Sequence, residues 1–383
     1  MKTFNQTHMA SAIAVTTPEA DQRRILGAAL ITASAIALLI GFTPQAHAQS
    51  ATSGFVYTAD EHGNSVSRID LAAGKVEIVP IGVTPHNLQF VPGKDWILAV
   101  GTPVQAEPSH GHAEAQDSPG SDSQGNGGHG DAGTGGAMIV LAAGTIAAGP
   151  VTLVEVGSHP AHVIADAAGR RAFVTNSGDD TVSVVDLAKG ETIREIGTGD
   201  FPHGLRMSPD GDTIYVANVE DGTVSIIDTA SLEETGRIAV GKAPVQVGFT
   251  PDGKQVYVSL RDENRVAVID TATRQVTARI DVGRSPIQMH ATADGRYVYV
   301  ANQGTEAEPD ETVSVIAVAS GAVVKTIRTG KGAHGVTVSD DGGFVFVTNI
   351  VDGTVSEISV ATQSVVRTHA VGNGPNGITF QTR

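Results

Sequence analysis

The chain contains no cysteine among its 383 residues. Disulfide bonds, thiolate metal sites, cysteine nucleophiles and covalently attached c-type haem are therefore excluded. Tryptophan occurs once, as Trp96, which leaves little on which a quinone cofactor could stack. The glycine-rich phosphate-binding motifs and the G-x-S-x-G nucleophile elbow are also missing in a strand-to-helix context, so no catalytic residue is assigned.

Basic residues are scarce in this chain. It has 25 lysines and arginines against 41 aspartates and glutamates, which gives a formal net charge of -16. Proteins that bind nucleic acid use lysine and arginine to displace counterions from phosphates, and anionic membrane surfaces attract basic segments. The charge balance therefore argues against nucleic acid and against a membrane surface as partners.

Only one run of apolar residues is long, and it lies near the N-terminus. Arg23 and Arg24 precede an apolar run over 25–42, and Ala46-His47-Ala48 is a cleavage site of the A-x-A type. We predict that residues 1–48 are a signal peptide, and the paired arginines favour the twin-arginine route. The alternatives are an ordinary secretory signal and an uncleaved anchor. We expect a periplasmic or secreted protein with no membrane attachment after cleavage.

Glycine is abundant, and many of the 45 glycines belong to a repeated step. Seven steps place glycine three residues before proline, or before Ala333 in one case, and they begin at Gly82, Gly157, Gly199, Gly241, Gly283, Gly330 and Gly372. The spacing is 42 residues from Pro160 to Pro202 and again from Pro202 to Pro244. A fixed period of this length is typical of repeat proteins that stack one supersecondary unit per repeat.

Each repeat predicts four short strands. In the unit that starts at Pro202 we predict strands over 205–207, 213–217, 223–228 and 234–240, separated by turn residues and a polar loop. Four such strands make one blade of a β-propeller. The chain starts with a second strand near Phe55 and finishes with a first strand at Phe380, so we expect the C-terminal strand to close the first blade. The predicted fold is an all-β, seven-bladed propeller over residues 49–383.

Four of the second strands carry a shared motif, each followed by a Thr-Val-Ser strand. They are Phe173-Val-Thr-Asn176, Tyr215-Val-Ala-Asn218, Tyr299-Val-Ala-Asn302 and Phe346-Val-Thr-Asn349. In these motifs residues 54–383 resemble the YVTN-repeat family of exported bacterial seven-bladed propellers. The resemblance implies the fold but no single activity, since related propellers include proteins of unknown role, sugar-lactone hydrolases, haem-binding domains and metal carriers. Two blades depart from the motif, with Leu260 and Gly101 in the asparagine position.

The histidines concentrate on one predicted face of the ring. The start of each first strand and the loop after each second strand should share a face, which we call the upper face. Nine of the eleven histidines that follow residue 48 are expected there. They are His86, His159, His162, His203 and His334 at first-strand starts, His62 in a loop, and His110, His112 and His129 in an insert of blade 2.

Grouped imidazoles suggest a metal site. Neutral imidazole is the commonest metal ligand near pH 7, and three or four of them without thiolates suit Zn²⁺ or Cu²⁺. We predict that His86, His162, His203 and His334 form or contribute to a metal site at the upper mouth of the channel, with the other five upper-face histidines as further candidates. The alternative is that each histidine is only a polar turn residue, because Ala161 and Val245 occupy equivalent positions.

The insert of blade 2 spans residues 103–137 and is rich in glycine, serine, histidine and acidic residues. Such a segment cannot bury enough apolar surface to order itself, so we predict a disordered loop. His110-Gly-His112 could present two imidazoles to one ion, which favours a low-affinity metal collector. A solvated spacer with incidental histidines is the alternative.

These observations lead to one expected function and two alternatives. We expect a monomeric, non-enzymatic propeller that binds Zn²⁺, Cu²⁺ or a small ligand and passes the metal to a periplasmic transporter or an apo-metalloprotein. The first alternative is a protein-interaction scaffold. The second is a lactonase-like hydrolase that uses Ca²⁺ or a channel carboxylate. Upper-loop acids such as Asp179 and Asp352 sit at loop tips, however, where turn chemistry alone explains them.

Overall fold

The structure, a computed structural model, describes residues 53–104 and 135–383. Within these residues 28 strands form seven antiparallel sheets of four strands each. The innermost strand of each sheet contacts the innermost strands of both neighbouring sheets, so the blades close into a ring. The predicted all-β, seven-bladed propeller is confirmed. The predicted signal peptide and residues 105–134 of the insert lie outside the described residues. Within the described residues no helix is long and apolar enough to cross a membrane.

The blades follow one another along the chain, and the first strand named in each blade is the innermost and the last is the outermost. Blade 1 contains β28 (Pro375–Gln381), β1 (Phe55–Asp60), β2 (Ser65–Asp70) and β3 (Lys75–Pro80). Blade 2 contains β4 (Val83–Val91), β5 (Trp96–Pro103), β6 (Gly136–Ala142) and β7 (Pro150–Val156). Blade 3 contains β8 (Pro160–Ala165), β9 (Arg171–Asn176), β10 (Thr181–Asp186) and β11 (Glu191–Gly197).

The remaining blades repeat this order. Blade 4 contains β12 (Pro202–Met207), β13 (Thr213–Asn218), β14 (Thr223–Asp228) and β15 (Glu233–Ala239). Blade 5 contains β16 (Pro244–Phe249), β17 (Gln255–Leu260), β18 (Arg265–Asp270) and β19 (Gln275–Asp281). Blade 6 contains β20 (Pro286–Ala291), β21 (Tyr297–Gly304), β22 (Pro309–Ala317) and β23 (Ala322–Arg328). Blade 7 contains β24 (Ala333–Val338), β25 (Phe344–Asn349), β26 (Thr354–Ser359) and β27 (Ser364–Ala370). Short 3₁₀ helices span Glu61–Gly63, Ala143–Ala148 and Arg261–Glu263.

The two ends of the described chain meet in blade 1. Strand β28 pairs antiparallel with β1, which places Val56 opposite Phe380. Phe380 also stacks on Phe346 of blade 7, with ring centroids 5.8 Å apart. The C-terminal strand therefore completes the first blade as predicted, and it buries apolar surface between the first and last blades. Closure leaves neither terminal blade with an unpaired inner edge.

Burial follows the position of each strand within its blade. Strand β25 is buried along its whole length, because its sheet packs face to face against the blades on both sides. The outermost strand of the same blade, β27, is mostly exposed and buries chiefly His369. The stability of the ring therefore comes largely from apolar layers that pack between neighbouring blades.

The motif asparagine ties the second strand to the third strand of its own blade. The Nδ2 of Asn176 donates to Thr181 Oγ1 at 3.0 Å and to Ser183 Oγ at 2.8 Å. The same two bonds recur in blades 4, 6 and 7, from Asn218, Asn302 and Asn349. The Thr-Val-Ser sequence that follows each motif supplies these two hydroxyl acceptors, which is why the two motifs occur together.

Blade 1 replaces this asparagine with a buried carboxyl group. Asp60 accepts hydrogen bonds from Thr58 at 2.7 Å, Ser65 at 3.0 Å and Ser67 at 2.6 Å. Burial raises the pKa of Asp60 to about 6, although the three hydroxyl donors pull it down. Because the folded pKa lies above the ordinary value, ionisation of Asp60 costs stability as the pH rises through about 6.

Asp60→Asn is expected to remove this pH-dependent cost. Near pH 4 the carboxyl group is largely neutral, so the two proteins should differ only by their hydrogen bonds. Between pH 4 and pH 8 the variant should gain about 2 kcal/mol of unfolding free energy relative to the wild type. Urea unfolding at the two pH values measures this gain. A wild type and a variant with parallel pH dependence would contradict the assignment.

Candidate metal centre

The histidines cluster at one rim because of the register between the first and second strands. Pro160 at the start of β8 lies opposite Asn176 at the end of β9, and Pro202 lies opposite Asn218 in the same way. The starts of the innermost strands and the loops that follow the second strands are therefore neighbours. This is the upper face that the sequence predicted.

A β-bulge at the start of the innermost strands shapes the site. Between the paired positions Pro160 and Val163 of β8, two residues oppose one residue of β9, and His162 is one of the two. His203 occupies the corresponding bulge of β12, and His86 that of β4. A bulge breaks the alternation of side chains and re-aims the extra residue.

Three imidazoles from blades 2, 3 and 4 meet at this rim. The ring centroids of His86 and His203 are 5.2 Å apart, those of His162 and His203 are 4.9 Å apart, and those of His86 and His162 are 5.9 Å apart. One nitrogen atom from each ring lies within 4.8 Å of the others. We call His86, His162 and His203 the histidine triad. His162 is fully buried, whereas the other two rings are partly exposed.

The spacing within the triad suits a metal ion. The Nε2 atoms of His86 and His203 are 3.1 Å apart. Two imidazole nitrogens bound to a tetrahedral Zn²⁺ at about 2.0–2.1 Å would be separated by about 3.3 Å. The pair is therefore close to the separation of two ligands on one ion, and a ring nitrogen of His162 lies within 4.8 Å of both.

A carboxylate orients His86. Glu61, in the loop after β1, accepts a hydrogen bond from His86 Nδ1 at 3.2 Å, and its other oxygen accepts one from Asn376 Nδ2 at 2.6 Å. Burial acts to raise the pKa of Glu61, but the charge and hydrogen bond of His86 outweigh it and lower the pKa to about 2. Burial likewise acts to lower the pKa of His86, and Glu61 reverses this so that the pKa is raised. A carboxylate behind a ligating imidazole fixes the tautomer that presents Nε2 to a metal.

The backbone orients His203. Its Nδ1 donates to the carbonyl oxygen of Val245, in the bulge of β16, at 3.2 Å. Burial, followed by the charge of His86, lowers the pKa of His203 to about 3, so this ring is neutral and its Nε2 carries a lone pair. One proton between the two facing Nε2 atoms gives both nitrogens a hydrogen bond. A divalent cation bound between them would take the place of that proton.

His162 is held by the motif threonine of blade 3. Thr175 Oγ1 accepts from the backbone N–H of His162 at 2.9 Å and donates to the carbonyl oxygen of His203 at 2.6 Å. One hydroxyl group thereby sets the distance between two members of the triad. The pKa of His162 is lowered well below its usual value by burial and by the neighbouring histidines, and its Nε2 has no hydrogen-bond partner within residues 53–104 and 135–383. A buried imidazole nitrogen without a partner is open to a ligand.

The remaining predicted ligands lie elsewhere. His334 is buried in the bulge of β24 near the triad, and its charge helps to lower the pKa of His203, but it is not in the three-residue group. His62 and His159 lie on the upper face outside the triad, His62 beside Gly374 and His159 beside Gly178. His110, His112 and His129 fall outside the described residues.

Two acidic residues of the upper loops bond to the segment that enters their blade. Asp179 accepts from the backbone N–H of Ser158 at 2.6 Å, and Asp352 accepts from that of Lys331 at 2.8 Å. Both bonds reach the residue after the glycine of a glycine-proline step. These two carboxylates therefore tie a second-to-third-strand loop to the connection that precedes the innermost strand of the same blade, which is a wider role than the turn that the sequence predicted. Glu61 is an exception, because its carboxylate faces the triad.

Comparisons with known proteins agree with this architecture. The family described as YNCE-like beta-propeller matches residues 235–382, and the Cytochrome D1 heme domain family matches residues 152–287. Each match covers less than half of the chain. No curated protein sequence matches it.

Two solved structures are similar in fold. Hydrazine synthase from Kuenenia stuttgartiensis is 20% identical, with 77% of this chain and 89% of that chain covered and a TM-score of 0.60. A functionally unknown protein from Desulfotomaculum acetoxidans is 16% identical, with 86% and 99% covered and a TM-score of 0.65. At these identities the likeness shows a shared fold alone.

Sequence reasoning missed two residues that support the triad. They are Glu61 and Thr175, and neither is among the site residues predicted from the sequence. A comparison of the blades could have identified Glu61. The Asp60-Glu61 pair occupies the position where blades 3, 4, 6 and 7 have asparagine and an uncharged residue. No comparable signal marked Thr175, since Thr348 holds the same place in blade 7.

Proposed function

We propose that this protein carries a divalent transition metal, Zn²⁺ or Cu²⁺, at the histidine triad. The observation that carries the proposal is the 3.1 Å separation of two Nε2 atoms from different blades, with a third imidazole beside them. Imidazole ligands on rigid strands suit these borderline metals and provide precise geometry.

The surroundings of the triad favour binding and release over chemistry. Three protein ligands leave a coordination position for water or for a ligand from a recipient protein. His86 and Glu61 are each about one quarter exposed, at 25% and 27% of their side-chain surfaces, so a partner could approach the ion from the upper face. We propose a periplasmic transporter or an apo-metalloprotein as the recipient, and a monomer as the carrier.

A hydrolase is less well supported. Glu61 and His86 are paired as an acid and a base are in hydrolytic sites, but the free nitrogen of His86 faces a second imidazole and not a nucleophilic hydroxyl group. The propeller face could serve as a protein-interaction scaffold, and a scaffold would be purified without metal.

We further propose that the chain is exported and belongs among the YVTN-repeat propellers. The support for the family is the repeated asparagine with its two hydroxyl acceptors, as in the bonds of Asn176. The support for export is the apolar run with its A-x-A site. We propose the insert as a metal collector, because its described ends at Pro103 and Gly136 lie in blade 2, which also carries His86.

A haem ligand is the second candidate. The residues that match the Cytochrome D1 heme domain family, 152–287, include His162 and His203. An imidazole of the upper face could serve as an axial ligand to haem iron. This candidate predicts a visible absorption band on addition of haem that disappears with the same histidines.

Titration of the purified protein with Zn²⁺, Cu²⁺ and haem distinguishes these functions. If the protein is a metal carrier, calorimetry should show one high-affinity Zn²⁺ or Cu²⁺ site per chain, and added haem should give no absorption band. Haem binding without metal binding supports the haem candidate, and a protein that binds none of the three supports the scaffold function.

Deletion of residues 105–134 should slow metal loading in stopped-flow mixing without changing the equilibrium affinity. An unchanged loading rate would show that the insert does not collect metal.

Glu61→Gln is expected to weaken Zn²⁺ binding by about 10-fold to 100-fold, the usual range for a carboxylate that orients a ligating histidine. Glutamine keeps an oxygen for Asn376 but withdraws the negative charge behind His86. Competition with a chromophoric chelator measures the change. Glu220→Gln, in the corresponding loop of blade 4, is the matched control and should bind as the wild type does. Equal affinities for both variants would show that Glu61 has no part in the site.

A further inference from the structure

The three rings of the triad do not have the same kind of partner behind them. His86 and His203 each have a hydrogen-bond acceptor at Nδ1, a carboxylate and a backbone carbonyl respectively, at 3.2 Å in both cases. An acceptor behind a ring keeps the proton on Nδ1 and leaves the Nε2 lone pair for a metal. His162 instead has the side-chain amide of Gln246 at its Nδ1, with the two nitrogen atoms 3.4 Å apart.

The orientation of the Gln246 amide is fixed by the backbone. Its Oε1 accepts from the backbone N–H of Val247 at 2.9 Å, so its Nε2, which can only donate, faces His162. Gln246 is fully buried in the bulge of β16, where its own backbone N–H donates to Ser259 Oγ at 3.0 Å. Gly204 of blade 4 leaves the space for this amide, since a Cβ there would lie 2.4 Å from Gln246 Oε1.

This contact determines which nitrogen of His162 carries the proton. The pKa of His162 is lowered well below its usual value, chiefly by burial, so the ring is neutral at pH 7 and has one N–H and one lone pair. Because the amide of Gln246 donates to Nδ1, the lone pair lies on Nδ1 and the proton lies on Nε2. That Nε2 has no hydrogen-bond partner in the part of the chain that the structure describes, so the contact with Gln246 sets the tautomer.

Ligation by His162 must therefore break its contact with Gln246, whichever nitrogen is used. Ligation through Nδ1 takes the lone pair to which the amide donates. Ligation through Nε2 moves the proton to Nδ1, where two donors would then face each other. The amide cannot turn over without withdrawing its oxygen from the N–H of Val247. A buried donor without an acceptor is costly, so the contact opposes ligation by His162.

We propose that Gln246 weakens His162 as the third ligand of the triad and thereby lowers the metal affinity to a level that permits release. The inference rests on the proposed function and adds a residue that regulates it. His86 and His203 have acceptors that favour ligation through Nε2, whereas His162 joins them only by giving up a hydrogen bond. Such a site binds less tightly than three equivalent imidazoles would, which suits a protein that passes its metal on.

Two substitutions of Gln246 are expected to strengthen Zn²⁺ binding. In Gln246→Glu a carboxylate can accept from both Val247 N–H and His162 Nδ1, which frees the Nε2 lone pair, so we expect a gain of about 10-fold to 100-fold. Gln246→Met removes the competing donor without adding an acceptor, and we expect a gain of about 2-fold to 10-fold. Competition with a chromophoric chelator measures both affinities, and circular dichroism verifies that each variant is folded. Replacement of a residue with a purely structural role would weaken binding instead.

Gln288→Glu is the matched control for the added charge. Gln288 is the corresponding buried residue in the bulge of β20, and its Nε2 has no hydrogen-bond partner among the described residues. This variant should bind Zn²⁺ as the wild type does. A gain equal to that of Gln246→Glu would show that charge alone changes the affinity, and it would overturn the role of the contact with His162.

Nitrogen-15 NMR of the metal-free protein with labelled histidine tests the tautomer directly. The signals of His162, identified by their absence from the spectrum of His162→Ala, should show the proton on Nε2 in the wild type and on Nδ1 in Gln246→Glu. A proton on Nδ1 in the wild type would overturn the inference. So would Gln246→Glu and Gln246→Met variants that bind Zn²⁺ no more tightly than a wild type that does bind it, and the metal carrier would then stand without this residue. A wild type that binds no Zn²⁺ would overturn the proposed function and this inference together.

Discussion

Replacement of His203 with alanine is expected to weaken Zn²⁺ binding by more than about 100-fold. This exceeds the loss expected for Glu61→Gln, because His203 is a proposed ligand and Glu61 only orients one. His203 occupies the centre of the triad, with its ring 5.2 Å from that of His86 and 4.9 Å from that of His162. Its removal takes one ligand away and leaves His86 Nε2 without a partner. Competition with a chromophoric chelator measures the affinity.

Histidines of the upper face outside the triad are the controls for this experiment. His159→Ala and His62→Ala remove imidazoles from the same face, and both variants should keep the wild-type affinity because neither residue belongs to the group within 4.8 Å. A loss spread equally over all upper-face histidines would show non-specific binding. An unchanged affinity in His203→Ala would remove the triad from the account.

Gly204→Ala is expected to destabilise the protein by about 3 kcal/mol and to weaken Zn²⁺ binding as well. Gly204 lies in the bulge beside His203, and a Cβ there would lie 2.4 Å from Gln246 Oε1 and 2.5 Å from the Val245 carbonyl oxygen. The innermost strand of blade 5 would have to move away, and with it the acceptor that orients His203. Urea unfolding and chelator competition measure the two effects.

Gly197→Ala is the matched control for this substitution. Gly197 ends β11, and a Cβ there would meet no atom within 4 Å. We expect a change of less than about 0.5 kcal/mol, as is usual for surface substitutions. If the two glycine variants unfold at the same urea concentration, the close approach of blades 4 and 5 does not constrain the bulge.

Sequence reasoning predicted the fold well because the repeat supplies the same signal many times. The 42-residue period, the alternating strands and the unpaired strands at the two ends of the ring together specify seven blades, and β28 closes blade 1 as expected. Packing between identical units allows few other arrangements. The insert at residues 103–137 interrupts the period without disturbing the pairing of β5 with β6.

The site was only partly predictable, because strand geometry and not spacing decides which histidines meet. His86 and His203 follow proline directly, whereas His162 comes one residue later, and the bulges nevertheless bring all three together. His334 is the second residue of its strand, as His203 is, but it comes from blade 7 and is not in the group of three imidazoles. Distances across the channel depend on ring closure, which sequence spacing does not encode.

The most direct test of the account is anomalous X-ray diffraction from crystals of the Zn²⁺-loaded protein, measured on both sides of the zinc absorption edge. We predict one strong peak at the upper mouth of the channel, about 2.0–2.1 Å from nitrogen atoms of His86, His162 and His203. Glu61 should remain bonded to His86 behind the ion. A peak at His159, at the carboxylates of the outer loops, or nowhere in the ring would contradict the proposed metal centre.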